Sequence, residues 1–173
     1  MLAATQNLEM KMTTKTPVDP NGLMEFSVVF TDRSLNHMSK SFQGVMTDIS
    51  SMLGEVYSAD EVALVPGGGT FAMEAVARQF GGGAHALIVR NGWFSYRWSQ
   101  IFEAGNFAAK TTVMKARQAG NDTRAPFAPA PIEDVVAAIR EAKPDVVFAP
   151  HVETSAGMIL PDDYLRSVSD AVH

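Results

Sequence analysis

The sequence predicts an α/β fold, a mostly parallel sheet flanked by helices. Short apolar runs at residues 62–66, 85–90, 111–115 and 145–149 alternate with amphipathic stretches of helical length. Those runs read apolar throughout instead of alternating with polar residues, the pattern of strands covered on both faces. With 46% apolar residues in 173, the chain can bury a core of ordinary domain size and is no disordered tail.

The elements follow in order. Residues 1–25 are weakly patterned and broken by Pro17, Pro20 and Gly22, which reads as an irregular arm. FSVVFT (26–31) reads as a short strand and DRSLNHMSK after it as a loop. From Phe42 to Tyr57 the residues Val45, Met46, Ile49, Met52, Leu53 and Val56 recur at helical spacing. VALVP (62–66) reads as a buried strand ended by Pro66, and residues 70–80 as a helix stopped by Gly81, Gly82 and Gly83. HALIVR (85–90) reads as a second strand, closed by Asn91 and Gly92, with a helix over 93–104. A third strand (111–115), a Pro/Ala/Gly-rich loop (117–130), a helix (132–142), a strand (145–149) and a last helix (162–172) complete the pattern. The pattern stops inside that last helix and reads as the front portion of something longer.

Charge and composition exclude several classes. Fourteen basic against nineteen acidic side chains give a net charge of −5, the wrong sign for a nucleic-acid binder. No apolar run approaches the roughly 20 residues of a membrane helix, and the first 30 residues lack a signal-peptide core. There is no cysteine, which removes disulfides, thiolate metal sites and a Cys nucleophile together. The expected setting is cytoplasmic, with no membrane and no nucleic-acid partner. His151 has no second His or carboxylate at metal spacing, so no metal is expected, and His151 reads as a structural residue. Ser155 lacks the elbow context of a serine hydrolase.

The strongest chemical signal is a strand, then Pro66-Gly67-Gly68-Gly69-Thr70, then a helix. Glycines admit a ligand close to the backbone, and a helix start offers unpaired N–H groups and a positive dipole end. Thr70 adds a hydroxyl that can also cap the helix. This predicts a phosphate site; the alternative is a tight turn with a plain cap. Gly67 to Ala72 also fits the dinucleotide pattern G-x-G-x-x-A, with Arg90 where an acidic residue is expected about 20 positions on. That leaves an NADP-binding Rossmann oxidoreductase open. A P-loop is excluded, since no Gly-Lys-Ser/Thr follows.

The second strand leads into Trp93, Phe94, Tyr96 and Trp98, four aromatics in six residues, at the strand end where open α/β sheets bind ligands. Trp93 and Trp98 read as the buried face of the next helix, and Phe94 as the ring free to stack on a planar cofactor. The fourth strand leads into His151-Val152-Glu153-Thr154-Ser155-Ala156-Gly157. There Glu153 and Thr154 either orient a polar ring or hold the loop.

Taken in order and spacing, PGGGTFAMEA (66–75), RNGWFSYRW (90–98) and HVETSAGMILP (151–161) resemble class V pyridoxal-phosphate aminotransferases of fold type I. The alanine–glyoxylate, serine–glyoxylate and 2-aminoethylphosphonate transaminases belong to this group. NHMSKSFQGVM (36–46) resembles the family's segment before its first long helix, so the likeness runs from about Ser34 to the end. It implies an arm over 1–33 and, over 34–173, the front of a PLP-binding large domain. By position, Gly68, Gly69 and Thr70 would hold the phosphate of pyridoxal 5′-phosphate (PLP). Phe94 would stack on its ring, and Thr154 would hydrogen-bond near its phenolic oxygen. The implied activity moves an amino group between a small amino acid and a 2-oxo acid, in a homodimer.

Two departures qualify the resemblance. The family has Ser-Gly where this chain has Gly67 and Gly68, which removes one phosphate hydrogen bond, on the order of 1 kcal/mol. The family's pyridine-nitrogen Asp, Schiff-base Lys and substrate-carboxylate Arg lie downstream of the E-T-S-x-G segment. Lys11, Lys15, Lys40, Lys110, Lys115 and Lys143 all precede it and match no Schiff-base position. No catalytic residue is therefore assigned, and this chain alone is expected to be inactive. A non-catalytic PLP-fold module is the remaining alternative.

Overall fold

The computed structural model describes residues 37–173; the arm at 1–25 and the strand at 26–31 lie outside them. The chain divides into two units between Leu64 and Val65. In the first, helix α1 (Lys40–Tyr57) starts where the buried Ser39 hydroxyl accepts the Phe42 N–H at 3.1 Å. It ends at Ser58 in the left-handed conformation. The predicted helix thus begins two residues earlier than its apolar periodicity, because the cap and not the periodicity sets the boundary.

The second unit opens with α2 (Gly69–Gly81), β1 (His85–Arg90), α3 (Trp93–Gly105) and β2 (Lys110–Lys115). The two-residue strands β3 (Arg117–Gln118) and β4 (Phe127–Ala128) precede α4 (Ile132–Ala142) and β5 (Val146–Phe148). A second hairpin, β6 (Val152–Glu153) and β7 (Met158–Ile159), encloses a short 3₁₀ turn (Thr154–Ala156), and α5 (Asp162–Val172) follows. The main sheet has the order β2-β1-β5 and is parallel throughout. β1 and β2 pair from His85–Lys110 to Arg90–Lys115.

The central strand shows why its run is uninterrupted. Side chains alternate across a strand, and both faces of β1 are covered. Leu87 and Val89 pack with Ala130, Val135, Ile139 and Val168 on the α4/α5 side. Ala86 and Ile88 pack with Ala77, Phe102 and Phe148 on the α2/α3 side. α4 carries Glu133 and Asp134 in its first turn and Arg140 in its last, matching the helix dipole at both ends.

Three expectations are corrected. Residues 62–66 form no strand: an apolar run gives propensity but names no ladder partner, and β1 has β2 on one side and β5 on the other. The loop at 117–130 contains the β3/β4 pair, closed by Arg117–Ala128 and Gln118–Phe127. The loop at 151–157 is a hairpin, whose turn reverses at Gly157. No helix among the described residues is long and apolar enough to cross a membrane.

Candidate functional site

The carboxyl end of β1 turns into α3 through Asn91 and Gly92, and the β6/β7 hairpin lies against that turn. Five consecutive backbone N–H groups there find side-chain acceptors. Asn91 and Gly92 donate to Ser95 Oγ at 2.8 and 3.1 Å. Trp93 donates to Ser155 Oγ at 2.8 Å. Phe94 and Ser95 donate to Glu153 Oε1 and Oε2 at 3.0 and 2.8 Å. The hydroxyls of Ser95 and Ser155 then donate to the same carboxylate at 2.6 and 2.5 Å. Every orphan donor of the α3 start named here is thus satisfied from within the protein.

Glu153 is 1% exposed. Burial pushes its carboxyl upward, but the hydrogen bonds from Ser155 and Ser95, with the backbone N–H groups of Ser95 and Phe94, outweigh it. The net direction is below the ordinary 4.5. The charge therefore sits at the positive end of α3, where the helix dipole favours it. Glu153 is the residue whose weight the sequence did not show. Of the two readings given for it, the structure bears out the one that holds the loop. Its partner Ser95 is 58 residues away, and no local pattern encodes that pairing.

Gly92 makes the arrangement sterically possible. A Cβ there would stand 2.6 Å from Ser155 Oγ and 2.7 Å from Glu153 Cγ. Gly92→Ala is expected to displace the carboxylate and destabilise the protein by about 1–3 kcal/mol, read from urea unfolding. A change under about 0.5 kcal/mol would mean the hairpin is not held against this turn.

The expected site residues fall in two places. Phe94 and Thr154 meet at the α3/hairpin junction: the Phe94 N–H is bound by Glu153, and Thr154 follows that residue, exposed. Phe94 itself is 49% exposed, so its ring is open to a stacking partner. Trp93 is corrected: it is 55% exposed and not on the buried face, because as the first helical residue it points back over the preceding turn. Trp98 does pack inward, its ring 4.5 Å from that of Phe148.

Gly68, Gly69 and Thr70 start α2 instead. The cap is Gly68 and not Thr70, which lies one residue inside the helix, and among the described residues no side chain accepts the Gly69 or Thr70 N–H. Thr70 lines a cavity with Glu74, Arg78, Arg97 and Gln100, distinct from the one bordered by Trp93 and Ser155. The three glycines differ. Gly67 has φ +125° and a Cβ there would strike the Phe71 ring, so only glycine fits. A Cβ at Gly68 or Gly69 would meet nothing within 4 Å among the described residues.

No protein-family model matches the chain, and no curated protein does. Among solved structures it is similar to a ureidoglycine–glyoxylate aminotransferase from Bacillus subtilis, with a TM-score of 0.61 at 22% identity. The match covers 80% of this chain and 34% of that one. The likeness is one of fold: a mixed α/β architecture with a parallel sheet flanked by helices, as in the fold type I neighbour.

Proposed function

We propose that this chain carries the phosphate turn and ring-stacking segment of a PLP-dependent aminotransferase, which moves an amino group between a small amino acid and a 2-oxo acid. The observation that supports it most is the contrast between two helix starts. The N–H groups of α3 at Trp93, Phe94 and Ser95 are taken by Ser155 and Glu153. Those of α2, at Gly69 and Thr70, meet no side-chain acceptor among the described residues and lie behind glycines that a ligand can approach. A phosphate fits the open one. In this reading Gly68, Gly69 and Thr70 hold the phosphate, Phe94 stacks on the pyridine ring, and Thr154 bonds beside its phenolic oxygen. PLP supplies the electron sink for the chemistry at the amino-acid carbon. The residues of this chain bind and orient it, and a homodimer goes with the reading.

The Rossmann reading loses the strand that its fingerprint requires ahead of the glycines.

Gly69→Val separates the phosphate site from the fold. The site is open, so unfolding is expected to change little, while the side chain blocks the N–H groups. Equilibrium dialysis should show PLP affinity reduced about tenfold or more, with pyridoxal, which has no phosphate, unaffected. Thr111→Val, on exposed β2, serves as the control. Equal losses from the two changes, or none from Gly69→Val, would sink the assignment.

A further inference from the structure

A second cavity lies at the carboxyl ends of β1 and β2, with a volume of about 520 Å³, in the range of small-ligand sites. Two cations stand at its rim. Arg90 and Lys115 are the last residues of their strands and are register partners, so their charges are neighbours on adjacent strands. Among the described residues no carboxylate lines the cavity and neither cation is ion-paired; Arg90 reaches Ser99 Oγ at 3.3 Å and lies over the Tyr96 ring, contacts that leave its charge unneutralised. The nearby Arg117 differs, since Asp134 neutralises it at 2.8 Å. Like charges side by side repel, and an anion between them relieves that repulsion.

Aromatic rings form the walls: Trp93, Tyr96 and Phe127. Trp93 and Phe127 are 55% and 59% exposed, which is unusual for rings of their size at adjoining positions. Asn91, which also lines the cavity, is buried, and its carboxamide oxygen and nitrogen make no hydrogen bond among the described residues. Unmet buried polar atoms are costly, and a polar ligand group that reaches them recovers that cost.

We propose that this cavity binds a small planar anion, an aromatic carboxylate, with its charge between Arg90 and Lys115 and its ring against Trp93 and Phe127. The cavity borders the α3/hairpin junction through Trp93 and Ser155, but Gly68, Gly69, Thr70, Phe94 and Thr154 do not line it. It stands whether or not PLP binds.

The test uses indole-3-acetate as the planar anion, indole as its uncharged counterpart, and the 173-residue chain. In nitrogen–proton correlation spectra, indole-3-acetate should shift the Trp93 indole N–H saturably. Trp98, packed on Phe148, should stay in place. Lys115→Glu, at an exposed strand end, should weaken binding about tenfold. Lys115→Arg should retain it, which guards against a misfolded variant. Gly69→Val should leave it unchanged even where it abolishes PLP binding. Three results would each overturn the proposal: no saturable shift at Trp93, indole bound as tightly as its carboxylate, or affinity indifferent to Lys115→Glu. Loss on Gly69→Val would do so as well, since the anion would then occupy the glycine turn.

Discussion

Leu87→Ala and Ile88→Ala are each expected to lower the unfolding free energy by about 2–5 kcal/mol. These residues are adjacent in sequence and fully buried, yet they stand in separate cores. Leu87 fills the layer between the sheet and α4/α5, and Ile88 the layer between the sheet and α2/α3. Each truncation leaves a cavity among side chains the other does not touch, so the effects should add to within about 0.5 kcal/mol. The double variant then loses about 4–10 kcal/mol, comparable to the whole stability of an ordinary domain, and should be largely unfolded in the absence of urea. Urea titration followed by circular dichroism decides the matter. A single variant costing under about 1 kcal/mol would mean that its face of β1 is not covered in solution.

That double covering is also why the middle of the fold was legible. Residues 85–90 and 132–142 were bounded to the residue, because each combines a strong pattern with its own punctuation: Asn91-Gly92 after the strand, Pro131 before the helix. The run at 62–66 had the same composition but no ladder, since β-pairing is a long-range property that a local pattern does not carry. The short hairpins failed for the opposite reason. Two residues per strand are too few to show a period. At the candidate site, the glycine turn and the exposed Phe94 were readable from residue type. The division of labour among Gly67, Gly68 and Gly69 was not, because it depends on where the Phe71 ring lies. Nor was the exposure of Trp93, which follows from its place at the first turn of α3.

The largest single-residue effect is expected at Glu153. Truncation to alanine strands two backbone N–H groups and two hydroxyls that now converge on one buried carboxylate. Leaving such a set unsatisfied should cost about 3–5 kcal/mol. Glu153→Gln tests the charge more finely, since it keeps the shape and one acceptor oxygen but turns an amide NH₂ toward groups that are themselves donors. It should cost less than alanine and should alter the pH dependence. The folded-state carboxyl is held below its ordinary 4.5, so its stabilisation is fully present above that value and is lost as pH falls through the lower, folded-state value. The wild-type protein should therefore show an acid limb of stability beneath 4.5 to which this residue contributes, and Glu153→Gln should flatten that contribution. Unfolding free energies measured from neutral pH down to about pH 3 give the two curves, and parallel curves would mean that the carboxylate is not the anchor. The same residue links the fold to the proposed site. Glu153 fixes the Phe94 backbone and precedes Thr154, so loosening it should leave the proposed phosphate turn at Gly68–Thr70 intact while freeing the proposed ring-stacking segment. Glu153→Gln should then weaken binding of PLP and of pyridoxal alike, whereas Gly69→Val weakens only PLP. A loss confined to the phosphorylated form in both variants would place Phe94 outside the site.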